Sequence, residues 1–342
     1  QPPAPNRAET CRSAPTQHRP RTNLQANSRP GQQPSHPRTH GVAVGFVKGP
    51  GAEMSYEDKA RDLMAKAQKK LKGWGMFGNK YEDAADLLEK AANQFKLAKS
   101  WNEAAEVYIQ LSDVHTKLES SHESASSFAE AANCFKKVSK PDAVRCLQKA
   151  ADIFTEMGRL QMAARHTKGI AELQEELGWK DDCLESYRHA ADLFAGEDSS
   201  SEANKCRLKV AHICAEQEKY PEAIAIFEDV ARSSVDSNLL KYSAKGYLLN
   251  AGVCHLARGR QEDIVSAIEK YMDLDITFDG SRECKLLQDC ATAMDGGDQQ
   301  AFTNAIAEYD SLTRLDPWKT SLLLTAKKLI VSRENDDEED LT

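Results

Sequence analysis

The chain has 342 residues, 40% hydrophobic and 29% charged, with a formal net charge of -8. Roughly two domains' worth of chain is present, and no apolar run approaches the roughly 18 residues that span a bilayer, so any membrane role is expected to be peripheral. Residues 1–53 hold seven of the 45 basic residues and two of the 53 acidic ones, leaving 38 against 51, or -13, on the rest, a balance that argues against a general nucleic-acid binder while allowing a local basic face.

Residues 1–53 contain nine of the twelve prolines and almost no aliphatic clusters. They cannot bury enough surface to offset their ordering entropy, and disorder is expected. The stretch is Arg-rich and acid-poor, faintly like an organelle transit peptide. It begins with Gln1, however, and Met54-Ser55-Tyr56 is a more natural start, so it is expected to be an upstream extension without a part in function. From Ser55 to Lys72 a capping-box-like start precedes an apolar stripe of Ala60, Leu63, Met64, Ala67 and Leu71, which predicts an amphipathic helix. Its polar side carries Lys59, Lys66, Lys69, Lys70 and Lys72.

The next segment, Gly73-Trp74-Gly75-Met76-Phe77-Gly78-Asn79, formally matches GxGxxG. A dinucleotide site needs those glycines after a strand and before a helix. Here a Lys-rich helix precedes them, and three large side chains would obstruct a pyrophosphate. Two readings stay open on the residues alone: packing on the first helical hairpin, or an apolar loop offered to a lipid surface. Burying all three side chains would gain on the order of 5 kcal/mol. Such an anchor needs help from the nearby lysines or from several copies.

From Lys80 to about Arg260 one phrase returns about every 20 residues: Ala91-Ala92-Asn93-Gln94-Phe95, Ala131-Ala132-Asn133-Cys134-Phe135, Ala150-Ala151-Asp152-Ile153-Phe154 and Ala190-Ala191-Asp192-Leu193-Phe194, with weaker copies at Leu111, Ile170, Val210, Val230 and Asn250. Each phrase sets a small and a large apolar residue on one helix face, so a neighbouring helix can approach. Paired helices of about 40 residues that bury one another's stripes make an α-solenoid. The A-x3-F spacing is that of tetratricopeptide repeats with a longer period. Turns are expected at 99–101, 157–159, 177–179 and 219–222, with Pro141 and Pro221 opening helices. After Arg260 the phrase stops but helical periodicity continues to residue 331, broken at Asp279-Gly280 and Asp295-Gly296-Gly297, which predicts a helical bundle capping the solenoid. The chain ends in an acidic run, Glu334 to Asp340, followed by Leu341.

No pattern supports catalysis or a cofactor. There is no HExxH, no zinc-spaced Cys/His set, no G-x-S-x-G and no GxxxxGK[ST]. Glu103, Glu106, Asp182 and Glu185 are most simply solvated. Nine cysteines without CxxC pairs, mostly at apolar helical positions, read as reduced buried thiols of a cytosolic protein. Positive charge does accumulate near helix ends and turns, at Lys99, Lys136, Lys137, Arg159, Arg165, Lys205, Lys209 and Lys245. Recurring at roughly the solenoid step on an otherwise acidic body, the set suggests a docking surface for an acidic, rod-like partner.

Phe95 to Trp101, Phe154 to Arg159, Ala203 to Cys206, Leu239 to Lys245, Ser281 to Leu286, Glu308 to Asp316 and Glu338 to Leu341 together resemble the alpha-type soluble NSF attachment proteins, in order over about residues 54–342. The resemblance implies an adaptor rather than an enzyme, without metal or cofactor. Its members coat the SNARE four-helix bundle and recruit the ATPase NSF, which takes the bundle apart. By matching position, Lys99, Lys136, Lys137, Arg159, Arg165, Lys205, Lys209, Lys245 and Arg282 would contact SNAREs, Arg165 standing where lysine is usual. Trp74, Met76 and Phe77 would form the membrane-touching loop. Asp295, Asp337, Glu338, Glu339 and Asp340 would dock NSF, and Leu341 would stimulate it; Gly259-Arg260 falls where an acid is typical.

The expectation is therefore an all-α, TPR-like helical-hairpin solenoid with a C-terminal helical bundle: an extension at 1–53, the solenoid at 54–260 with its apolar loop at 73–79, the bundle at 261–331 and an acidic tail at 332–342. The partners implied are SNAREs, NSF and a membrane surface, with no nucleic acid. The protein would be cytoplasmic and peripherally membrane-associated, a monomer when free and present in several copies per bundle. The rival is a tetratricopeptide co-chaperone clamping a C-terminal peptide, which needs Lys, Asn and Arg clustered in one groove.

Overall fold

The computed structural model describes residues 54–73, 80–237 and 240–339. The expected extension (1–53), the loop residues Trp74, Met76 and Phe77, and Asp340 and Leu341 lie outside the described residues.

Regular structure among the described residues is helical: α1 (Tyr56–Lys72), α2 (Lys80–Ala98), α3 (Trp101–Lys117), α4 (Ser121–Phe135), α5 (Lys140–Glu156), α6 (Leu160–Leu177), α7 (Lys180–Gly196), α8 (Ser200–Glu216), α9 (Tyr220–Val235), α10 (Lys241–Arg258), α11 (Gln261–Leu274), α12 (Arg282–Asp295), α13 (Gln299–Leu312) and α14 (Pro317–Glu339). From α1 to α10 each helix packs on the next. Short turns make such neighbours antiparallel, the helical counterpart of a chain of hairpins.

The 20-residue step has a backbone cause. Lys99, Glu119, Gly158, Gly178, Asp198 and Glu218 all take a left-handed conformation, with φ between 54° and 74°. In each case the following amide donates to the carbonyl five residues back, as in Ser100 to Phe95, Arg159 to Phe154 and Lys219 to Cys214 at 2.8 to 3.0 Å. This 6→1 bond satisfies a carbonyl that the helix end leaves open and turns the chain sharply. The α4–α5 turn is built differently: Ser139 bonds Phe135 O through its amide and Asp142 through its hydroxyl, and Pro141 sits in the first turn of α5.

The repeated phrase supplies the core. Ala91, Ala131, Ala150 and Ala190 are fully buried, and Phe95, Phe135, Phe154 and Phe194 are buried beside them. The alanines let helices close up while each phenylalanine contributes about 1.5 to 3 kcal/mol of burial.

α10 is the hub of the C-terminal end. Leu248 to Ala257 are buried without interruption, because α9, α11, α12 and α14 all pack on this helix. A helix stretch largely apolar on every side is one enclosed on every side, here with two polar side chains, Asn250 and His255, among the apolar ones. Gly252 makes the α10–α12 approach possible, since a Cβ there would lie 2.3 Å from Leu287 Cδ1. Side chains cap three later helices: Ser281 accepts from Cys284 N, Asp298 from Ala301 N and Asp316 from Lys319 N. α14 then turns back on the solenoid. Trp318 Nε1 donates to His212 O on α8 at 3.2 Å, and its ring lies 4.5 Å from His212 and 5.7 Å from Phe227. No helix among the described residues is long and apolar enough to cross a membrane.

Candidate partner-docking face

Alternation of antiparallel helices puts even-numbered helices in one layer and odd-numbered ones in another. Ion pairs between residues 34 apart stitch each layer: Lys96 on α2 to Glu130 on α4 at 2.9 Å, Lys168 on α6 to Glu202 on α8 at 3.0 Å, Lys209 on α8 to Glu175 on α6 at 2.9 Å, and Arg188 on α7 to Glu222 on α9.

Of the nine cations singled out in the sequence, Arg165, Lys205, Lys209, Lys245 and Arg282 lie on even-numbered helices, and Lys99, Lys136, Lys137 and Arg159 at junctions between an even- and an odd-numbered helix. Lys136 caps α4 and Lys137 follows it, Arg165 is on α6, Lys205 and Lys209 on α8, Lys245 on α10, and Arg282 opens α12; Lys99 follows α2, and Arg159 precedes α6. All are exposed except Lys245, which is half-buried. Two groups converge. Lys136 and Arg165 both act on His166, whose pKa is lowered first by burial and then by these two charges, with its ring stacked on Phe154 at 5.3 Å. Lys205, Lys209 and Lys168 line a cleft of about 560 Å³ between α6, α8 and Trp318 of α14. Lys137 lies over the Trp101 ring at 5.1 Å.

The charges differ in how they are held. Lys99, Lys136, Arg159, Arg165, Lys245 and Arg282 make no ion pair among the described residues. Lys205 and Lys209 do, with Glu202 and Glu175. Lys168, also bound by Glu202, belongs to the same group and was missed in the sequence, where one more lysine on a helix surface carries no distinguishing mark. Glu202 is held below the usual glutamate range by hydrogen bonds from Lys205 and Lys168. For Glu175 burial pushes the carboxyl up, but hydrogen bonds from Lys209 and Tyr187 outweigh it and leave it lowered.

Asp295 is exposed at the end of α12, and Asp337, Glu338 and Glu339 form the last turn of α14. The acidic run therefore continues the final helix rather than following it. Among the described residues eight cysteines are free and buried. Burial pushes the thiols of Cys254 and Cys290 up to about 12 and those of Cys146, Cys183, Cys206 and Cys214 up to about 11, so they are protonated near neutrality and poor nucleophiles. Among the described residues no group of three or more His, Cys, Asp and Glu side chains could hold a metal ion.

The sequence pattern of the soluble NSF attachment proteins (SNAP) matches residues 58–331. The chain belongs to this family. Among its relatives, alpha-soluble NSF attachment protein of Vitis vinifera is 46% identical over 284 residues, covering 83% of this chain and 98% of the relative. The Mus musculus protein of the same name is 42% identical over 289 residues, covering 81% and 97%. A solved signal transduction ATPase with a tetratricopeptide repeat sensor, from Pyrococcus horikoshii, is 14% identical with a TM-score of 0.43, covering 80% of this chain and 44% of that one.

Proposed function

We propose that this chain is the adaptor between assembled SNARE bundles and the ATPase NSF, serving disassembly in vesicle fusion and intracellular transport. The observation that carries this reading is the near full-length match to proteins named alpha-soluble NSF attachment protein. The solenoid grips and the ATPase works, so the chain needs no catalysis of its own. In this reading the bundle presents an acidic rod, and cations spread along the solenoid fit it by many weak contacts. In this proposal Lys99, Lys136, Lys137, Arg159, Arg165, Lys205, Lys209, Lys245 and Arg282 meet SNAREs. Trp74, Met76 and Phe77, which follow the lysines of α1 in the sequence, touch membrane. Asp295, Asp337, Glu338, Glu339, Asp340 and Leu341 engage NSF through the C-terminal helices. Several copies surround one bundle, and the protein is cytoplasmic and peripherally membrane-associated. A peptide clamp is disfavoured because the cations are spread from Lys99 to Arg282 along successive helices rather than gathered in one groove.

Binding to a preformed SNARE bundle across a salt series tests the reading. The parent is expected to bind, with affinity falling steeply as salt rises, because exposed charges are screened over about 8 Å at physiological ionic strength. Lys136→Glu/Arg165→Glu is expected to weaken binding at least about tenfold, since each reversal replaces an attraction by a repulsion near the surface. Salt-insensitive binding, or parent-like affinity in the double reversal, would contradict the docking face.

A further inference from the structure

We propose that Glu202 and Glu175 are resident competitors on the docking face: within the folded chain each holds the lysine ammoniums that an acidic partner would take, so that a partner presenting many carboxylates is favoured over one presenting few. This rests on the adaptor reading and names how that site selects.

Glu202 uses both oxygens. Oε1 accepts from Lys205 Nζ at 2.5 Å and Oε2 from Lys168 Nζ at 3.0 Å. Glu175 presents both oxygens to Lys209 Nζ, at 2.9 and 3.0 Å, and Oε2 also accepts from Tyr187 OH at 2.9 Å. Each carboxylate occupies the position a partner carboxylate would occupy. Each also has a reason to stay ionised when its lysine leaves. Glu202 is in the first turn of α8, where the helix dipole favours negative charge. Glu175 keeps the Tyr187 hydroxyl on α7.

The exchange is within reach of a partner. The side chains of Lys205 and Lys209 are 59% and 50% exposed, those of Glu202 and Glu175 36% and 43%. Exposed pairs of this kind change an equilibrium by a few-fold at most, so a new carboxylate can replace the old one. A short acidic peptide arriving here trades one ion pair for another and gains little. A rod that also reaches the unpaired Lys136 and Arg165 gains new pairs there and can make the exchange as part of a larger contact. The carboxylates thus lower affinity at α6–α8 while leaving the neighbouring cations open, which favours length and charge density in the partner.

The test is Glu175→Gln/Glu202→Gln, with Glu202→Gln alone as a milder variant. Glu103→Gln/Asp182→Asn serves as a control that removes two charges from the exposed surfaces of α3 and α7. Three quantities are measured: affinity for the preformed SNARE bundle, affinity for poly-L-glutamate, and the rates at which an amine reagent labels Lys168, Lys205, Lys209 and Lys136, read by mass spectrometry. The double variant is expected to bind both ligands about three- to tenfold tighter, a few-fold from each released pair, with a steeper salt dependence. Lys205 and Lys209 should label faster and Lys136 at the parent's rate. Equal or weaker binding, a matching gain in the control, or tighter binding without faster labelling of Lys205 and Lys209 would overturn the proposal. If poly-L-glutamate shows the expected differences and no variant binds the bundle, the resident carboxylates stand and the adaptor reading falls. If the parent binds the bundle and the Gln variants bind it no tighter, the adaptor stands and the resident competition falls.

Discussion

Lys99, Glu119, Asp198 and Glu218 occupy turn positions where φ is positive, a conformation in which a side chain other than glycine is crowded against its own carbonyl. Replacing Glu119 or Glu218 by glycine should therefore raise stability by about 0.5 to 1 kcal/mol each, after the entropy that glycine adds to the unfolded chain. Urea denaturation measures this, and a loss of stability would show that these side chains make contacts that outweigh the strain. Gly252 is the opposite case. A methyl group there meets Leu287, which is fully buried, so Gly252→Ala should cost about 1 to 3 kcal/mol despite alanine's better helix propensity. The turns at 99–101, 157–159, 177–179 and 219–222 were legible in the sequence, with Gly158 and Gly178 marking two of them outright; those at Glu119 and Asp198 were not, because no glycine or proline stands at either position. The need for glycine at 252 was not, because it depends on how closely α12 approaches. A third residue-scale effect involves Glu228. Burial pushes its carboxyl up, yet the His255 imidazole 3.7 Å away and the hydrogen bond from Tyr271 hold it below its ordinary value of 4.5. A carboxyl with a lowered folded pKa stabilises the fold fully above its unfolded pKa and loses that contribution as pH falls through the folded one. The stability gap between the parent and Glu228→Gln should thus be constant near neutrality and shrink progressively below about pH 4.5, by denaturation at stepped pH. A gap that widened on acidification would refute the assignment.

At the scale of elements, the helices and their order follow from local signals, and the docking of α14 does not. Trp318 meets His212 across 106 residues of chain, and nothing in the short sequence around Pro317 says which earlier helix will receive it. The same limit applies to the docking face. Its cations could be picked out by recurrence at roughly the solenoid step, although Arg165, Lys205 and Lys209 lie inside helices rather than at turns. Glu202, three residues before Lys205 on α8, was within reach of the sequence, whereas the partner of Lys209 was not. Glu175 sits 34 residues from Lys209, and that pairing exists only because α6 and α8 share a layer. Trp318→Ala should cost about 2 to 4 kcal/mol, somewhat under the cost for a fully buried aromatic, because the side chain is half-buried. It should also speed hydrogen exchange in α14 more than in α2. Equal acceleration in both helices would mean that Trp318 supports the whole stack rather than the return of its last helix.

At the scale of the whole molecule, residues 54–342 carry 38 basic and 51 acidic side chains; five of the nine predicted docking cations lie on even-numbered helices and four at the junctions between an even- and an odd-numbered helix. In the proposed docking, such cations would steer an acidic rod onto an acidic body whose remainder would repel other acidic partners. The acidic last turn of α14 lies at the far end of the helix that Trp318 anchors to α8, so the grip proposed for the solenoid and the contact proposed for NSF are carried by helices packed on one another. The measurement that bears most directly on this account is disassembly of a preformed SNARE bundle by NSF and ATP, with the parent, Leu341→Ala and Lys136→Glu/Arg165→Glu compared at equal concentration. The account predicts disassembly with the parent, bundle binding without disassembly for Leu341→Ala, and neither for the double reversal. A parent that neither binds the bundle nor supports disassembly, with several SNARE sets, would contradict it.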